Sequence, residues 1–158
     1  MKFNTQEEYG LRCLLRIAYS KSPNGLTIPE ISLAEKLTQA NAAKILRILR
    51  INGFIESARG QAGGYKLSRP PEEIIVADVL NSLGGKLFEA SFCSDYSGVD
   101  LVCTHSIDCS IRSLWRAVQT AVDGVVTKTT LKDLMAKEAS VGDFVNTLIE
   151  ESPSFKIS

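Results

Sequence analysis

Three cysteines in a short polar segment are the residues of this 158-residue chain best suited to chemistry. Cys93, Cys103 and Cys109 fall within seventeen residues, in a chain that has four cysteines in all. Their neighbours, such as Gly98 and Asp108, do not suit burial of the thiols in an ordinary core. Thiolates gathered on a loop are soft ligands, which suit a soft metal ion or an iron–sulfur cluster. We therefore predict a cluster or metal site here, with a reversible thiol switch as the alternative.

The spacing of the cysteines narrows the kind of site they can form. Nine residues separate Cys93 from Cys103 and five separate Cys103 from Cys109, so the Cys-x2-Cys pair common in structural zinc sites does not occur here. These spacings disfavour zinc. Cys13 stands beside Leu11 and Leu14, and we predict that it is a small buried apolar residue and not a ligand.

A helix-turn-helix is predicted upstream of the cysteine loop. Residues 6–20 carry apolar side chains at helical spacing. A second, short helix is predicted over 28–37 with Thr27 as its N-cap, and a third extends from the N-cap Thr38 to a stop at Gly53. Short helices joined by a tight turn, the last of them basic, are typical of DNA-binding proteins.

The polar face of the third helix is the predicted DNA-contacting surface. Its side chains are of the types that bond to base edges and phosphates in a major groove. The candidates are Thr38, Gln39, Asn41, Lys44 and Arg47. The alternative is an amphipathic helix that packs on a core and leaves a solvated basic side.

A glycine-rich hairpin is predicted directly after this helix. Residues 54–59 and 64–68 are its strands, and the stretch 60–64 connects them. Glycines let the backbone approach phosphate closely, and an arginine beside them can enter a minor groove. The predicted wing contacts are Arg59, Gly60, Gln61, Gly63, Gly64 and Tyr65. A hairpin behind a basic helix-turn-helix indicates a winged helix.

The distribution of charge supports a nucleic-acid partner although the formal net charge is zero. Residues 36–69 contain seven bases and one acid, whereas residues 70–158 contain seven bases and thirteen acids. Such segregation provides a local electrostatic footprint for phosphate; solvated helix faces are the alternative explanation. No apolar run approaches the ~20 residues that a membrane span requires. We expect a cytoplasmic protein, in which thiols stay reduced.

A long helix is predicted beyond the cysteine loop, after a shorter helix over 74–83. Its apolar residues recur with the a/d spacing of a coiled coil. They are Ile107, Ile111, Leu114, Val118, Ala121 and Val125. This pattern favours pairing with a second copy of the chain, since helix-turn-helix dimers bind two half-sites. Packing within one subunit is the alternative.

The predicted elements divide the chain into three parts. Residues 1–85 form the winged helix-turn-helix domain, 86–110 the cysteine loop, and 111–150 the dimerisation helix with a helical tail capped by Thr130. The predicted fold class is mainly α, with a β-hairpin wing and a long dimerisation helix.

Several local motifs point to one known family. They are residues 1–3 with 9–10, the segment 52–60, the segment 63–67, the three cysteines, and residues 114–115. With these motifs the chain resembles the winged-helix regulators typified by the iron–sulfur regulator IscR and the nitric-oxide sensor NsrR. The resemblance covers nearly the whole chain. It implies a homodimeric transcription regulator whose [2Fe–2S] or [4Fe–4S] cluster is held by Cys93, Cys103 and Cys109.

Two departures from the family pattern concern the cluster ligands. The loop between Cys93 and Cys103 is longer than in IscR-like members, and Arg112 replaces the histidine that they place three residues after the last cysteine. Arginine cannot ligate iron because its guanidinium stays protonated. The resemblance to NsrR-like members makes Glu8 the first candidate for the fourth ligand. The single histidine, His105, is the second.

The sequence thus predicts a regulator that binds a double-stranded DNA operator as a homodimer under cluster control, without a membrane. Two alternatives remain: the same fold with the cysteines as a thiol-redox sensor, or an adaptor that binds proteins and not DNA. An enzyme is not predicted, because the single histidine has no recognisable nucleophile partner and no phosphate-binding loop occurs.

Overall fold

The computed structural model describes residues 4–58, 63–88, 91–95, 97, 99, 103, 105 and 108–151. Within these residues the fold is mainly helical with one two-stranded antiparallel sheet. The elements are α1 (Thr5–Tyr19), α2 (Ile28–Glu35), α3 (Gln39–Ile51), β1 (Ile55–Ser57), β2 (Tyr65–Leu67), a 3-10 turn (Pro71–Glu73), α4 (Val76–Leu83), α5 (Phe92–Asp95), α6 (Ser110–Val126), α7 (Leu131–Leu134) and α8 (Glu138–Glu151). The predicted mainly α winged-helix fold is confirmed.

Side-chain caps start the helices of the helix-turn-helix where the sequence predicts them. Thr27 and Glu30 form a capping box at α2, with the Thr27 N–H donating to the Glu30 carboxylate at 2.7 Å. The Thr38 hydroxyl accepts the Asn41 N–H at 3.2 Å at the start of α3. Gly53 follows α3 with a φ of 74°, the left-handed conformation expected at a helix stop.

The second helix is shorter than predicted because the turn to α3 is tighter than the sequence indicates. It ends at Glu35 and not at residue 37, since Lys36 adopts a left-handed φ of 57°. The Lys36 N–H donates to the Ser32 carbonyl. The Ser32 hydroxyl then donates to the Leu37 carbonyl at 2.6 Å and closes the turn.

The hairpin wing is attached to the domain by a third short segment. Ile55 pairs with Leu67 and Ser57 with Tyr65, so each strand is three residues long and shorter than predicted. Leu26, in the loop before α2, forms an isolated bridge with Tyr65 through two backbone hydrogen bonds of 2.9 and 2.7 Å. The predicted wing tip at Arg59, Gly60 and Gln61 lies outside the described residues.

The core lies between α1, α2, α3, α4 and the hairpin. Its fully buried side chains include Leu14, Ile31 and Leu46. Cys13 is fully buried among them, as the sequence predicts, and this burial raises the pKa of its thiol to about 12. Such a thiol carries almost no thiolate at neutral pH, so Cys13 acts as a core residue.

The tail does not continue as one helix, contrary to the sequence-based expectation. Thr130 caps a short helix, α7, whose Leu131 is buried in the winged domain's core. The Leu131 N–H donates to the Ile74 carbonyl at 2.8 Å, and the Val76 N–H donates to Thr129 at 2.9 Å. A separate helix, α8, then packs against α6.

Helix α6 is the long helix predicted after the cysteine loop, and it leaves its apolar stripe partly uncovered. None of its residues is buried, and Ile111 and Leu114 are 54% and 56% exposed. Ile107, the first predicted position of the stripe, lies outside the described residues. In the described part of the chain, no helix is long and apolar enough to cross a bilayer.

Candidate nucleic-acid interface and cysteine pocket

Helix α3 separates an apolar from a polar face as the sequence predicts. Ala42, Ile45, Leu46 and Leu49 point into the core. The predicted contact residues on the other side are all exposed: Thr38, Gln39, Asn41, Lys44 and Arg47. This basic face is free to enter a groove of DNA.

The described part of the wing divides into exposed and packed positions. Gly63 is exposed and Tyr65 is half-buried against the core. Gly64 is buried, and a Cβ at this position would collide with the backbone oxygen of Asn24. The structure thus shows a packing reason for Gly64 that the sequence does not reveal.

An ion cluster that the sequence does not predict locks α1 to the end of α2. The Arg12 Nε atom lies 3.0 Å from one Glu35 carboxylate oxygen, and the Arg16 Nε atom lies 2.7 Å from the other. Burial by itself raises the pKa of Glu35. The hydrogen bonds and charges of Arg16 and Arg12 outweigh that effect, and the pKa falls below its usual value. Glu35 is therefore a charged anchor beneath the helix-turn-helix.

Two basic residues of the hairpin have partners within the protein. Lys66 lies 3.1 Å from Glu56, its cross-strand neighbour, and both side chains are about half exposed. Such a pair contributes about 0.2–1 kcal/mol. The Arg69 guanidinium stacks over the Phe54 ring, 5.4 Å from its centroid. Lys66 and Arg69 are thus engaged within the protein, whereas Lys44 and Arg47 of α3 form no ion pair with another described residue.

One pocket of about 320 Å³ brings the three predicted cysteine ligands together. Cys93, Cys103 and Cys109 line it together with His105. Its apolar wall consists of Phe88, Phe92, Ile111 and Trp115. Glu8, the first candidate for a fourth ligand, is exposed on α1 and does not line this pocket.

Cys109 has a structural role that the sequence does not predict. It is the N-cap residue of α6, and its Sγ atom accepts the Arg112 N–H at 3.3 Å. The positive end of the helix dipole lies at this position. A change at Cys109 therefore acts directly on the first turn of α6.

The thiols share the pocket without forming a closed ligand set. Among the residues that the structure describes, no three His, Cys, Asp or Glu side chains are close enough together to hold a metal ion. The donor set nevertheless fits an iron–sulfur cluster in its chemistry, because it offers three soft thiols and an imidazole in an apolar pocket.

Aromatic ring contacts and hydrogen bonds of the Gln119 side chain connect the pocket to the segment that follows α4. The Phe88 and Phe92 rings are 5.2 Å apart, and Phe92 lies 6.3 Å from Trp115. Gln119 of α6 accepts the Phe88 N–H at 3.0 Å and donates to Asp123 at 2.8 Å. The segment between α4 and the cysteines is thereby tied to α6.

A second contact ties the end of α4 to the start of α1. The Gln6 side-chain amide donates to the Leu83 carbonyl, and Glu7 is buried in the capping box of α1 with Asn4. Gly84 passes so close to Glu7 that a Cβ there would clash. The segment from α4 to the pocket is therefore held both by the winged domain and by α6.

The exposed basic α3, the hairpin beside it and the buried scaffold beneath them define a DNA-binding regulator of the winged-helix class. The chain belongs to the Rrf2 family, described as iron-dependent transcriptional regulators, and the match covers residues 3–137. It is therefore a transcription regulator and not an enzyme, as the sequence predicts.

Individual relatives match the chain along most of its length. The protein Rrf2 of Nitratidesulfovibrio vulgaris is 33% identical over 141 residues, which is 89% of this chain and 91% of that protein. The structure of CymR, the global cysteine regulator of B. subtilis, has a TM-score of 0.63 and 25% identity, covering 85% of this chain and 96% of the other. IscR of T. potens has a TM-score of 0.67 and 26% identity, covering 88% and 90%.

Proposed function

We propose that this chain is a homodimeric transcription regulator whose affinity for a double-stranded DNA operator is controlled by an iron–sulfur cluster. The observation that carries the proposal is the shared pocket of Cys93, Cys103 and Cys109 at the start of α6. Cys93 and Cys109, 16 positions apart in sequence, line one pocket beside the helix that bears the uncovered apolar stripe. A regulator of transcription works where the chromosome is, so we expect it in the cytoplasm.

The three cysteines would hold the cluster, and two residues are candidates for a fourth ligand, with a water, a small thiol or no fourth ligand as the alternative. His105 lines the same pocket within one subunit. Glu8 would reach the cluster only from a partner subunit, because on its own chain it does not line the pocket. The geometry of a single subunit therefore favours His105. When bound, the cluster supplies a redox-active centre whose charge changes with its oxidation state.

The chain's own residues provide a route from the pocket to the DNA-binding domain. Ligation by the Cys109 Sγ atom would alter the bond that this atom accepts from the Arg112 N–H, and with it the first turn of α6. Moving Cys93 moves Phe92, whose ring packs between Phe88 and Trp115. A difference of about 1–3 kcal/mol between the two states is enough to change DNA affinity about 5- to 150-fold.

The dimer follows from α6 and the half-site geometry of helix-turn-helix proteins. Ile111 and Leu114 are large apolar side chains left more than half exposed. A second copy of the chain would cover them and set the distance between two α3 helices. The exposed basic face of α3 supports DNA as the partner and argues against a protein-binding adaptor.

Anaerobic purification tests the proposal. We expect a coloured protein with iron and acid-labile sulfide, and expect Cys103→Ser to lose both. His105→Ala and Glu8→Ala, measured side by side, identify the fourth ligand by which one shifts the visible spectrum. Ser97→Ala is a matched control, because Ser97 lines the pocket without a cluster ligand atom. A colourless wild-type protein free of iron would refute cluster control.

A thiol switch without a cluster is the second candidate function. It is favoured because no three His, Cys, Asp or Glu side chains among the described residues are close enough together to hold a metal ion. If the protein is colourless, mild oxidation should change its DNA affinity, and the change should disappear in Cys93→Ser or Cys109→Ser.

A further inference from the structure

We propose that Lys36, in the turn between α2 and α3, is a DNA-phosphate contact that fixes the docking of the recognition helix. The proposal rests on the DNA-binding part of the proposed function and adds a residue outside the predicted α3 and wing contacts. Lys36 is the one non-glycine residue with positive φ in the described ranges of the chain, at 57°.

The conformation of Lys36 is unfavourable for its residue type. L-residues other than glycine, asparagine and aspartate seldom adopt left-handed φ, because the Cβ atom crowds the following carbonyl. The turn itself requires this φ, since the Lys36 N–H must reach the Ser32 carbonyl while Ser32 bonds to Leu37. Glycine would satisfy the same turn without strain. A lysine at such a position is therefore a candidate for a functional role.

The surroundings of Lys36 leave its charge available. The side chain is exposed, and it forms no ion pair with an acidic side chain among the described residues. The preceding residue, Glu35, is turned inward and neutralised by Arg12 and Arg16. Within the described part of the chain, the turn therefore presents a cation that forms no ion pair.

The position of Lys36 determines what its charge can meet. It stands two residues before Thr38, the N-cap of α3, on the stretch that joins the two helices. A side chain in that turn lies beside the DNA backbone when α3 enters a major groove. Its partner is therefore a phosphate and not a base edge, so Lys36 contributes affinity and orientation without sequence preference.

The test exploits the opposite effects of Lys36→Gly on stability and on binding. Glycine removes the strain and the charge together. We expect the melting temperature to rise by roughly 2–4 °C and affinity for DNA to fall roughly 3- to 10-fold. The slope of log affinity against log salt concentration should decrease in magnitude by about one per subunit. Lys36→Arg should keep both the affinity and the slope of the wild type.

The assay uses a labelled mixed-sequence duplex of about 30 base pairs, long enough for two half-sites one helical turn apart. Lys128→Gln, an exposed lysine after α6, is the control for a simple loss of charge. If wild type binds with a steep salt dependence and Lys36→Gly binds equally with the same slope, the role of Lys36 is refuted. If wild type shows no salt-sensitive binding, the proposed function itself fails.

Discussion

Cys109 is a helix cap in the structure and a cluster ligand in the proposed function, and two substitutions separate these roles. Serine caps a helix well but is a poor substitute for a thiolate, whereas alanine does neither. We expect Cys109→Ser to lose the visible absorbance with almost unchanged stability. Cys109→Ala should lose the absorbance and about 1 kcal/mol of unfolding free energy as well. Circular dichroism and urea titration measure the difference.

Equal stability of the two Cys109 variants would contradict the capping role. Retained absorbance in both would contradict the ligand role. The absorbance reports on the ligand role, and the unfolding free energy reports on the cap formed by the Arg112 N–H and the Cys109 Sγ atom.

Gly64 provides a residue-scale test of the wing's attachment. A methyl group there meets the backbone of Asn24 and Gly25, which cannot move aside as a flexible side chain would. We expect Gly64→Ala to lower the unfolding free energy by about 1–3 kcal/mol. Gly142→Ala is the matched control: it lies in α8 with open space around it and should gain up to about 1 kcal/mol. A neutral Gly64→Ala would show that the loop and wing are not packed as described.

At the scale of elements, Glu35 links α1 to the helix-turn-helix and makes stability depend on pH. Its pKa is lower in the folded chain than in the unfolded chain, so the folded state binds its proton less readily. The resulting stability is complete above the ordinary glutamate pKa of 4.5 and is lost as pH falls through the lowered folded value. We expect Glu35→Gln to destabilise the protein at pH 7 and to flatten the acid limb of the stability curve.

Glu30 is the matched control for the acid limb. It also has a lowered pKa, caused by its hydrogen bonds to the backbone and side chain of Thr27, but it is exposed. Urea titrations between pH 7 and 3 should show a smaller effect for Glu30→Gln than for Glu35→Gln. An acid limb unchanged by Glu35→Gln would refute the anchor.

The elements that the sequence predicts best are those fixed by neighbours in the chain. The boxes and caps at Thr27, Thr38 and Thr130 depend on bonds to residues three positions away, so local patterns are enough. The turn at Lys36 was missed because lysine carries no signal for left-handed φ. The return of Leu131 to the core was missed because its backbone hydrogen-bond partner, Ile74, is far away in sequence.

The same distinction explains what could be predicted of the candidate site. The types and spacing of the cysteines indicate a soft-ligand site, and the polar face of α3 follows from its helical period. Which residues surround the thiols depends on how the segment folds back on α6, and this could not be inferred from spacing. The aromatic wall became part of the site only in three dimensions.

At the scale of the whole molecule, α6 should hold two chains together. We expect Leu114→Glu to place a charge on the uncovered apolar stripe and to convert a dimer to a monomer with weakened DNA binding. Thr120→Glu adds the same charge on another, exposed part of the helix and should remain dimeric. Analytical ultracentrifugation distinguishes them. A wild type that is monomeric at all concentrations would contradict the homodimer.

The central claim is that the state of the cysteine pocket sets affinity for DNA. The ratio of the dissociation constants measured with and without iron tests it most directly. Duplexes are first selected from genomic DNA by the anaerobically purified protein, and their dissociation constants are then measured before and after removal of iron. We predict a change of about 5- to 150-fold in wild type and none in Cys103→Ser. A ratio of one in wild-type protein that carries a full complement of iron and sulfide would contradict the account.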